Sequence, residues 1–268
     1  MDFATKGELN GTTPRTDDDP LTTTIPTTND NRDTVNLHLR MVKEALGARS
    51  VACVVGGSLG GMQAIEWALL GGHPFVRSAV VIACGARHTA WQIGISETQR
   101  QAIYADPNWR GGAFDPSQPP TQGLSVARQI AMFSYRTPQG FDAKFGREMH
   151  AEDGRFQVRR YLEYQGQKFL TRFDALTYVR LTEKMDTHDV GRARGGVEAA
   201  LGAVKQPVLV LGIDSDVLYP LREQEELAGL MPGGELRVVH SREGHDGFLL
   251  EQQQVGGAIA EFLARHGL

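Results

Sequence analysis

The segment SVACVVGGSLGGMQAIEWALL, residues 50–70, decides the fold of this chain. Five apolar residues lead into a glycine-rich turn, and a segment with apolar residues on one helical face follows. This order predicts a strand, a sharp turn and a helix. A second apolar run, VRSAVVIACGA (76–86), comes next. The two strands are therefore predicted to lie parallel, joined by a right-handed helical crossover.

The last quarter of the chain repeats the same alternation. PVLVLGI (207–213) and ELRVVH (235–240) are short apolar runs, and each precedes a helical pattern, REQEELAGLM and QQQVGGAIAEFLARH respectively. Strands that alternate with helices are typical of an α/β fold with a parallel sheet. We therefore predict this fold class.

Residues 90–195 differ in character from the two α/β stretches. They contain helical patterns and no strand-like run: SETQRQAIYA, SVARQIAMFSYR, QVRRYLEYQGQKFLTRF and ALTYVRLTEKM. We predict a core of residues 33–89 and 196–268, with 90–195 inserted as a helical lid. Residues 1–32 are rich in Thr, Asp, Asn and Pro, which predicts a disordered polar tail.

Composition excludes several classes of function. The 268 residues include 28 Lys and Arg against 32 Asp and Glu, so the basic excess of a nucleic-acid-binding surface is missing. No run approaches the roughly 20 apolar residues that cross a bilayer, so we predict no membrane span. Cys53 and Cys84 both lie in apolar runs, which favours reduced core thiols. We expect a cytoplasmic protein.

The turn after the first strand matches the pattern G-x-S-x-G. Gly56 and Gly60 flank Ser58, and a predicted strand and helix stand on either side. Small residues at these positions allow a sharp turn that exposes a serine as a nucleophile. A glycine-rich turn that binds a phosphate is the alternative; neither the lysine of a P-loop nor a G-x-G-x-x-G motif with a downstream acid is present, which favours the nucleophile.

A nucleophilic serine needs a histidine base and an acid that orients it. Asp216 follows the strand 207–213, and His245 follows the strand 235–240 in the loop SREGHDG. Asp214 competes with Asp216, because a shift of two residues keeps the direction of a side chain on an extended chain. Five other histidines are assigned to the surface or to helix faces: His38, His73, His88, His150 and His266.

Two further patterns bear on possible binding sites. DTHDV (186–190) lacks a second histidine or cysteine at ligand spacing, so we predict a polar loop and no metal site. Arg128 and Tyr135 are seven residues apart in a helical pattern, which places them on nearly the same face. Together they suit the binding of a substrate carboxylate, although such a pair is also common on helix surfaces.

Five segments resemble one known family. GGSLGGMQAIEWAL, WQIGISETQRQAIYADPNW, YLEYQGQKFLTRFDALTYVRLTEKMDTHDV, GIDSDVLYP and EGHDGFLLE are similar to homoserine O-acetyltransferases of the α/β-hydrolase fold. The resemblance covers Asp33 to the C-terminus. It implies that Ser58 is the nucleophile, that Asp216 and not Asp214 is the acid, and that His245 is the base.

The resemblance also implies a substrate and a mechanism. Arg128 and Tyr135 would bind the homoserine carboxylate, Asp246 would meet its amine, and the Leu59 amide would stabilise the oxyanion. Ser58 would take acetyl from acetyl-CoA, the co-substrate, and pass it to the homoserine hydroxyl. No permanently bound cofactor is implied. Members of the family commonly dimerise through the helical insert.

One departure from the family concerns the N-terminal side. The family has a long segment before the part that matches Asp33 onward, and that segment forms the first strands and supplies a second oxyanion amide. We therefore expect a truncated sheet with an unpaired edge at strand 51–55.

Several functions are alternatives to the acetylation of homoserine. They are transfer to another alcohol, as in deacetylcephalosporin C acetyltransferases, use of a succinyl donor, simple serine esterase activity, or no activity in a non-catalytic remnant.

Overall fold

The computed structural model describes residues 30–268, so most of the predicted polar tail (1–32) lies outside the described residues. The first helix, α1, spans Asn31–Arg40. Asp30 caps it, because Asp30 Oδ1 accepts from the Asp33 amide at 2.9 Å and Asp33 Oδ2 accepts from the Asp30 amide at 3.1 Å. The predicted boundary at residue 33 is therefore wrong: Asp30 to Arg32 already belong to the start of the helix.

Within residues 30–268, four parallel strands form the sheet, in the order β1-β2-β3-β4. They are β1 (Val54–Gly57), β2 (Ala79–Ile82), β3 (Val208–Ile213) and β4 (Gly234–Val239). Each lies within or at the edge of a run that the sequence marks as a strand. Because the strands are parallel, the loops that follow them all leave the sheet at its carboxyl edge.

In the described part of the chain, ten further helices surround or extend the sheet. They are α2 (Leu59–Gly71), α3 (Ala90–Tyr104), α4 (Thr121–Tyr135), α5 (Pro138–Phe145), α6 (Gln157–Leu170), α7 (Ala175–Asp186), α8 (Val197–Gly202), α9 (Leu221–Leu230), α10 (Gly247–Leu250) and α11 (Gln252–Arg265). A π-helical turn, Met41–Ala45, continues α1, and short 3₁₀ turns lie at Arg110–Gly112 and Gly244–Asp246.

Two hydrophobic layers enclose the sheet. Side chains of α2, α8 and α9 pack on one face, and α11 packs on the other with Val255 and Phe262. Strands β2 and β3 are buried along their whole length, as expected for strands covered on both faces. By contrast, Val55 in β1 is 52% exposed. Within residues 30–268, β1 has a strand neighbour on one side only.

The helices α3, α4, α6 and α7 form a second core. It contains Ile103, Leu124, Phe169, Tyr178 and other buried residues, and α4 lies against both α3 and α6. Three helices of the described residues were not predicted: α5, α8 and α10. Over residues 30–268, no helix combines the length and the apolar character that spanning a bilayer requires.

Candidate active site

Ser58 lies at the junction between β1 and α2. Its backbone has φ 56° and ψ −122°, a conformation that costs a non-glycine residue roughly 1–3 kcal/mol. Its amide donates to the Ile82 carbonyl at 2.9 Å, which ties the turn to β2. The strain presents the side chain at the carboxyl edge of the sheet, as the strand-turn-helix pattern predicts.

The two glycines of the motif have different roles. A Cβ atom on Gly56 would lie 2.0 Å from the Gly60 carbonyl oxygen, so no side chain fits there. A Cβ on Gly60 would meet nothing within 4 Å. The close backbone approach therefore requires glycine at position 56, while position 60 tolerates a side chain sterically.

The start of α2 supplies amide donors beside Ser58. Leu59 is the first residue of this helix, so its amide has no carbonyl partner one turn earlier in the helix. The amides of Gly61 and Met62 already donate to the Ser58 carbonyl, at 2.8 and 3.1 Å. Leu59 is thus placed where a helix N-terminus favours a negatively charged oxygen.

Asp216 and His245 form a buried pair. Asp216 Oδ2 lies 2.7 Å from His245 Nδ1, and the two residues are 5% and 4% exposed. The other carboxylate oxygen accepts from the amides of Leu218 and Tyr219, at 2.8 and 2.9 Å. A carboxylate on Nδ1 places the proton there and leaves Nε2 free to accept one. Over residues 30–268 the structure has no hydrogen bond between Ser58 and His245.

Asp214, the competing acid, makes a different pair. Its Oδ2 lies 2.8 Å from His240 Nδ1, and its Oδ1 accepts from the Ser241 amide at 3.0 Å. Burial tends to raise the pKa of Asp214, but these hydrogen bonds outweigh it and lower the pKa. The His240 side chain is 77% exposed. The structure therefore brings Asp216, and not Asp214, to His245.

A cavity of about 210 Å³ opens beside Ser58. Arg128 and Tyr135 line it, and the Arg128 guanidinium lies 5.4 Å from the Tyr135 ring centre and 4.9 Å from that of Phe169. The prediction that Arg128 and Tyr135 share a face is confirmed. Among the described residues no carboxylate forms an ion pair with Arg128, and its Nε is buried without a hydrogen-bond partner. This cation is available to an anionic ligand.

Asp246 is placed differently from Arg128. It does not line the cavity; its Oδ2 lies 3.0 Å from Arg136 Nε, and Arg136 also pairs with Glu243. Burial raises the pKa of Asp246, and the positive charges of Arg136 and Arg128 oppose that effect. In this structure the Asp246 carboxylate is already engaged by a protein cation.

His88 contradicts the prediction of a surface or helix-face residue. It is 8% exposed and lines the cavity with Ser58. Its Nδ1 lies 3.0 Å from Asp186 Oδ1, and its Nε2 lies 2.9 Å from the Tyr219 hydroxyl. The sequence held one signal for His88: it closely follows the second predicted strand, at the sheet edge where Ser58 and Asp216 were expected.

The DTHDV segment is also more buried than a polar loop. His188 is 4% exposed, and its Nε2 bonds the Gly85 carbonyl at 3.1 Å. Burial lowers the pKa of His188 to about 4, so this ring is neutral at pH 7. Over residues 30–268 there is no cluster of three metal-ligating side chains.

The two cysteines are free thiols; Cys84 is buried and Cys53 half-buried.

Known proteins share both the fold and the sequence of this chain. A family model described as alpha/beta hydrolase fold matches residues 12–252. The homoserine O-acetyltransferase of Salinibacter ruber is 53% identical over 238 residues, which cover 87% of this chain and 67% of the relative. The chain belongs to the homoserine O-acetyltransferase family of α/β hydrolases. The family resemblance and the fold class predicted from the sequence are both confirmed.

Solved structures extend this comparison. The homoserine O-acetyltransferase of Bacillus anthracis has a TM-score of 0.80 at 20% identity, with 87% of this chain and 65% of that chain covered, and it shows the shared fold alone. The acetyl esterase MekB has a TM-score of 0.75 at 26% identity, with 88% and 68% covered. The chain spans about two thirds of the length of the homoserine O-acetyltransferases that it matches.

Proposed function

We propose that this protein transfers an acetyl group from acetyl-CoA to the hydroxyl of homoserine, through an acetyl-Ser58 intermediate. The observation that carries the proposal is the buried Asp216–His245 pair, at the same sheet edge as the strained Ser58 turn. The names of the relatives supply the substrate class. Ser58, Asp216 and His245 are the proposed nucleophile, acid and base.

The first half-reaction acylates the serine. His245 Nε2 accepts the Ser58 hydroxyl proton while Oγ attacks the thioester carbonyl. Negative charge develops on the carbonyl oxygen, and the Leu59 amide stabilises it. When the carbon–sulfur bond breaks, the proton on His245 goes to the departing sulfur, so coenzyme A leaves as a thiol. Asp216 stays ionised and stabilises the imidazolium.

The second half-reaction transfers the acetyl group. Arg128 binds the homoserine carboxylate, with Tyr135 beside it. His245 removes the proton of the substrate hydroxyl, whose oxygen attacks the acetyl-Ser58 ester; the ester bond breaks and Ser58 Oγ recovers the proton. The homoserine ammonium is assigned to Asp246, which first has to exchange its ion pair with Arg136 for one with the substrate.

The helical insert has two proposed roles. We infer that residues 90–195 form a lid over the cavity, because α3, α4 and α7 contribute most of its lining. We also infer that the lid forms a dimer contact, since large apolar side chains of α3 and α4 are exposed: Trp91 (57%), Val126 (46%) and Phe133 (58%). Sedimentation equilibrium tests the dimer contact; a monomer at micromolar concentration contradicts it.

The cytoplasmic location of the protein stays a prediction.

The decisive experiment incubates the full chain with acetyl-CoA and homoserine. We expect release of free coenzyme A, formation of O-acetylhomoserine, and an acetyl adduct on the Ser58 peptide when homoserine is left out. The Ser58→Ala variant is the control and should show neither release nor adduct. Succinyl-CoA in place of acetyl-CoA tests the acyl donor. If the unmodified chain shows no release and no adduct, the proposal is wrong.

Acetyl ester hydrolysis is the second candidate function. The similarity to the acetyl esterase MekB favours it, because an acetyl-serine intermediate that reacts with water instead of homoserine gives this activity. Release of acetate that homoserine does not suppress would favour the esterase. Release of acetate that falls as O-acetylhomoserine rises would favour the transferase.

A further inference from the structure

The segment 88–92 holds the loop that carries Asp216. This segment includes the first turn of α3 and the two residues before it. Three side chains of this segment contact three consecutive residues of the loop: Trp91 Nε1 donates to the Val217 carbonyl at 2.8 Å, Gln92 Nε2 donates to the Leu218 carbonyl at 2.8 Å, and His88 Nε2 lies 2.9 Å from the Tyr219 hydroxyl. The first two contacts involve the loop backbone, whereas the third fixes a side chain.

Tyr219 touches both members of the proposed acid–base pair. Its amide donates to Asp216 Oδ1 at 2.9 Å, and its ring centre lies 5.3 Å from that of His245. The residue is 1% exposed, so its position depends on packing and on the bond from its hydroxyl. A shift of the Tyr219 ring therefore moves the surface against which His245 lies.

His88 is itself oriented from its far side. Asp186 Oδ1 lies 3.0 Å from His88 Nδ1, and Arg100 Nη2 donates to Asp186 Oδ2 at 2.6 Å. The Asp186 carboxylate accepts a hydrogen bond from Nδ1–H of His88, which leaves Nε2 to accept one from the Tyr219 hydroxyl. Burial raises the pKa of Tyr219 well above its usual range. The phenol therefore stays protonated, and its O–H donates a hydrogen bond to His88 Nε2.

We propose that His88 and Tyr219 are positioning residues that hold the Asp216–His245 pair in its reactive geometry through their shared hydrogen bond. The proposal rests on the proposed function, since it assumes that His245 activates Ser58. The two residues act through Asp216 and His245 and not on the acetyl group. Their loss should therefore slow the activation of Ser58 and leave homoserine binding unchanged.

The test measures how fast a fluorophosphonate labels Ser58, together with kcat and KM for acetyl transfer. Tyr219→Phe and His88→Leu should each lower the labelling rate and kcat by about tenfold, the usual effect of one buried hydrogen bond, with the homoserine KM unchanged. The double variant should be no slower than either single variant, because both changes remove the same bond. His88→Gln, whose amide oxygen can accept from the Tyr219 hydroxyl, should stay within about twofold of the unmodified chain.

His240→Leu is the matched control, because it removes a histidine that pairs with an aspartate at 2.8 Å outside the cavity. It should label at the rate of the unmodified chain. Equal labelling of Tyr219→Phe and the unmodified chain, or additive losses in the double variant, would overturn this inference alone. Failure of the unmodified chain to label would overturn both this inference and the proposed nucleophile.

Discussion

Two aspartate–histidine pairs start from the loop after β3, at Asp214 and at Asp216, and their environments differ sharply. Asp216 and His245 are buried, and two further amides donate to the carboxylate. Asp214 and His240 are joined at a nearly equal distance, 2.8 against 2.7 Å, but the His240 side chain is 77% exposed. The contact distance therefore does not distinguish the proposed acid–base pair from the surface pair, whereas burial and the surrounding donors do.

The largest predicted effect comes from replacing each aspartate by asparagine in turn. Asp216→Asn should lower acetyl transfer by about 10³- to 10⁴-fold, because the amide favours the wrong tautomer of His245 and no longer stabilises the imidazolium. Asp214→Asn should retain the activity of the unmodified chain. Both rates come from the coenzyme A release assay, with thermal unfolding as a check on folding. Equal losses in the two variants would refute the assignment of Asp216.

A second prediction extends the contrast between buried and exposed histidines to stability. Burial lowers the pKa of His188 from 6.5 to about 4, so the unfolded chain binds more protons between these values. Above pH 6.5 the ring is neutral in both states, so His188 does not change the free energy of unfolding. As the pH approaches 4, protonation of the unfolded chain should lower this free energy by about 3 kcal/mol. Urea unfolding at several pH values measures it.

Two variants isolate this contribution of His188. His188→Gln keeps a donor for the Gly85 carbonyl and should lose less stability on acidification, while His240→Gln should follow the unmodified chain. Parallel pH curves for His188→Gln and the unmodified chain would show that His188 does not carry the effect.

The third prediction concerns the cavity beside Ser58, which Arg128 lines. Arg128→Ala should raise the homoserine KM by about 10- to 100-fold, because a charge-assisted bond to the carboxylate is lost. Hydrolysis of a small neutral acetyl ester should be nearly unchanged. Arg172→Ala is the control, since Arg172 also lies over the Phe169 ring, at 5.7 Å, but does not line the cavity. Equal losses in transfer and hydrolysis would remove the role assigned to Arg128.

The smallest expected effect belongs to the surface pair. The lowered pKa of Asp214 means that its pairing stabilises the protein above the ordinary aspartate range and ceases to do so as the pH falls through that range. Because the pair is exposed, Asp214→Asn should cost less than about 1 kcal/mol at neutral pH. Urea unfolding at pH 7 and pH 3 tests this, and a difference between variant and unmodified chain that grows at pH 3 would contradict it.

Local patterns in the sequence were enough for the sheet and the serine turn. Apolar runs mark all four strands, and the glycine at position 56 marks a close backbone approach that the structure shows. The helix α5 was missed, although Thr137 before Pro138 is a recognised helix start. Its eight residues are too few for a clear helical period.

Long-range contacts set the limit of what the sequence could predict. His88 becomes a buried cavity residue because Asp186 and Tyr219, distant along the chain, bond both of its ring nitrogens. Asp246 is engaged by Arg136 for the same reason, since no local pattern records that pairing. Residue type and loop position identified candidates, but burial and partners appeared only once the chain was folded.

The contacts between the segment 88–92 and the acid loop also bear on protein engineering. Exchanging the helical insert between related enzymes is a natural route to a new acceptor specificity. In this protein, such a chimera would exchange Trp91 and Gln92 as well, and these side chains hold the carbonyls of Val217 and Leu218 in the loop that carries Asp216. A graft that begins after residue 92 would keep the loop that carries Asp216 supported while most of the helices that line the cavity are replaced.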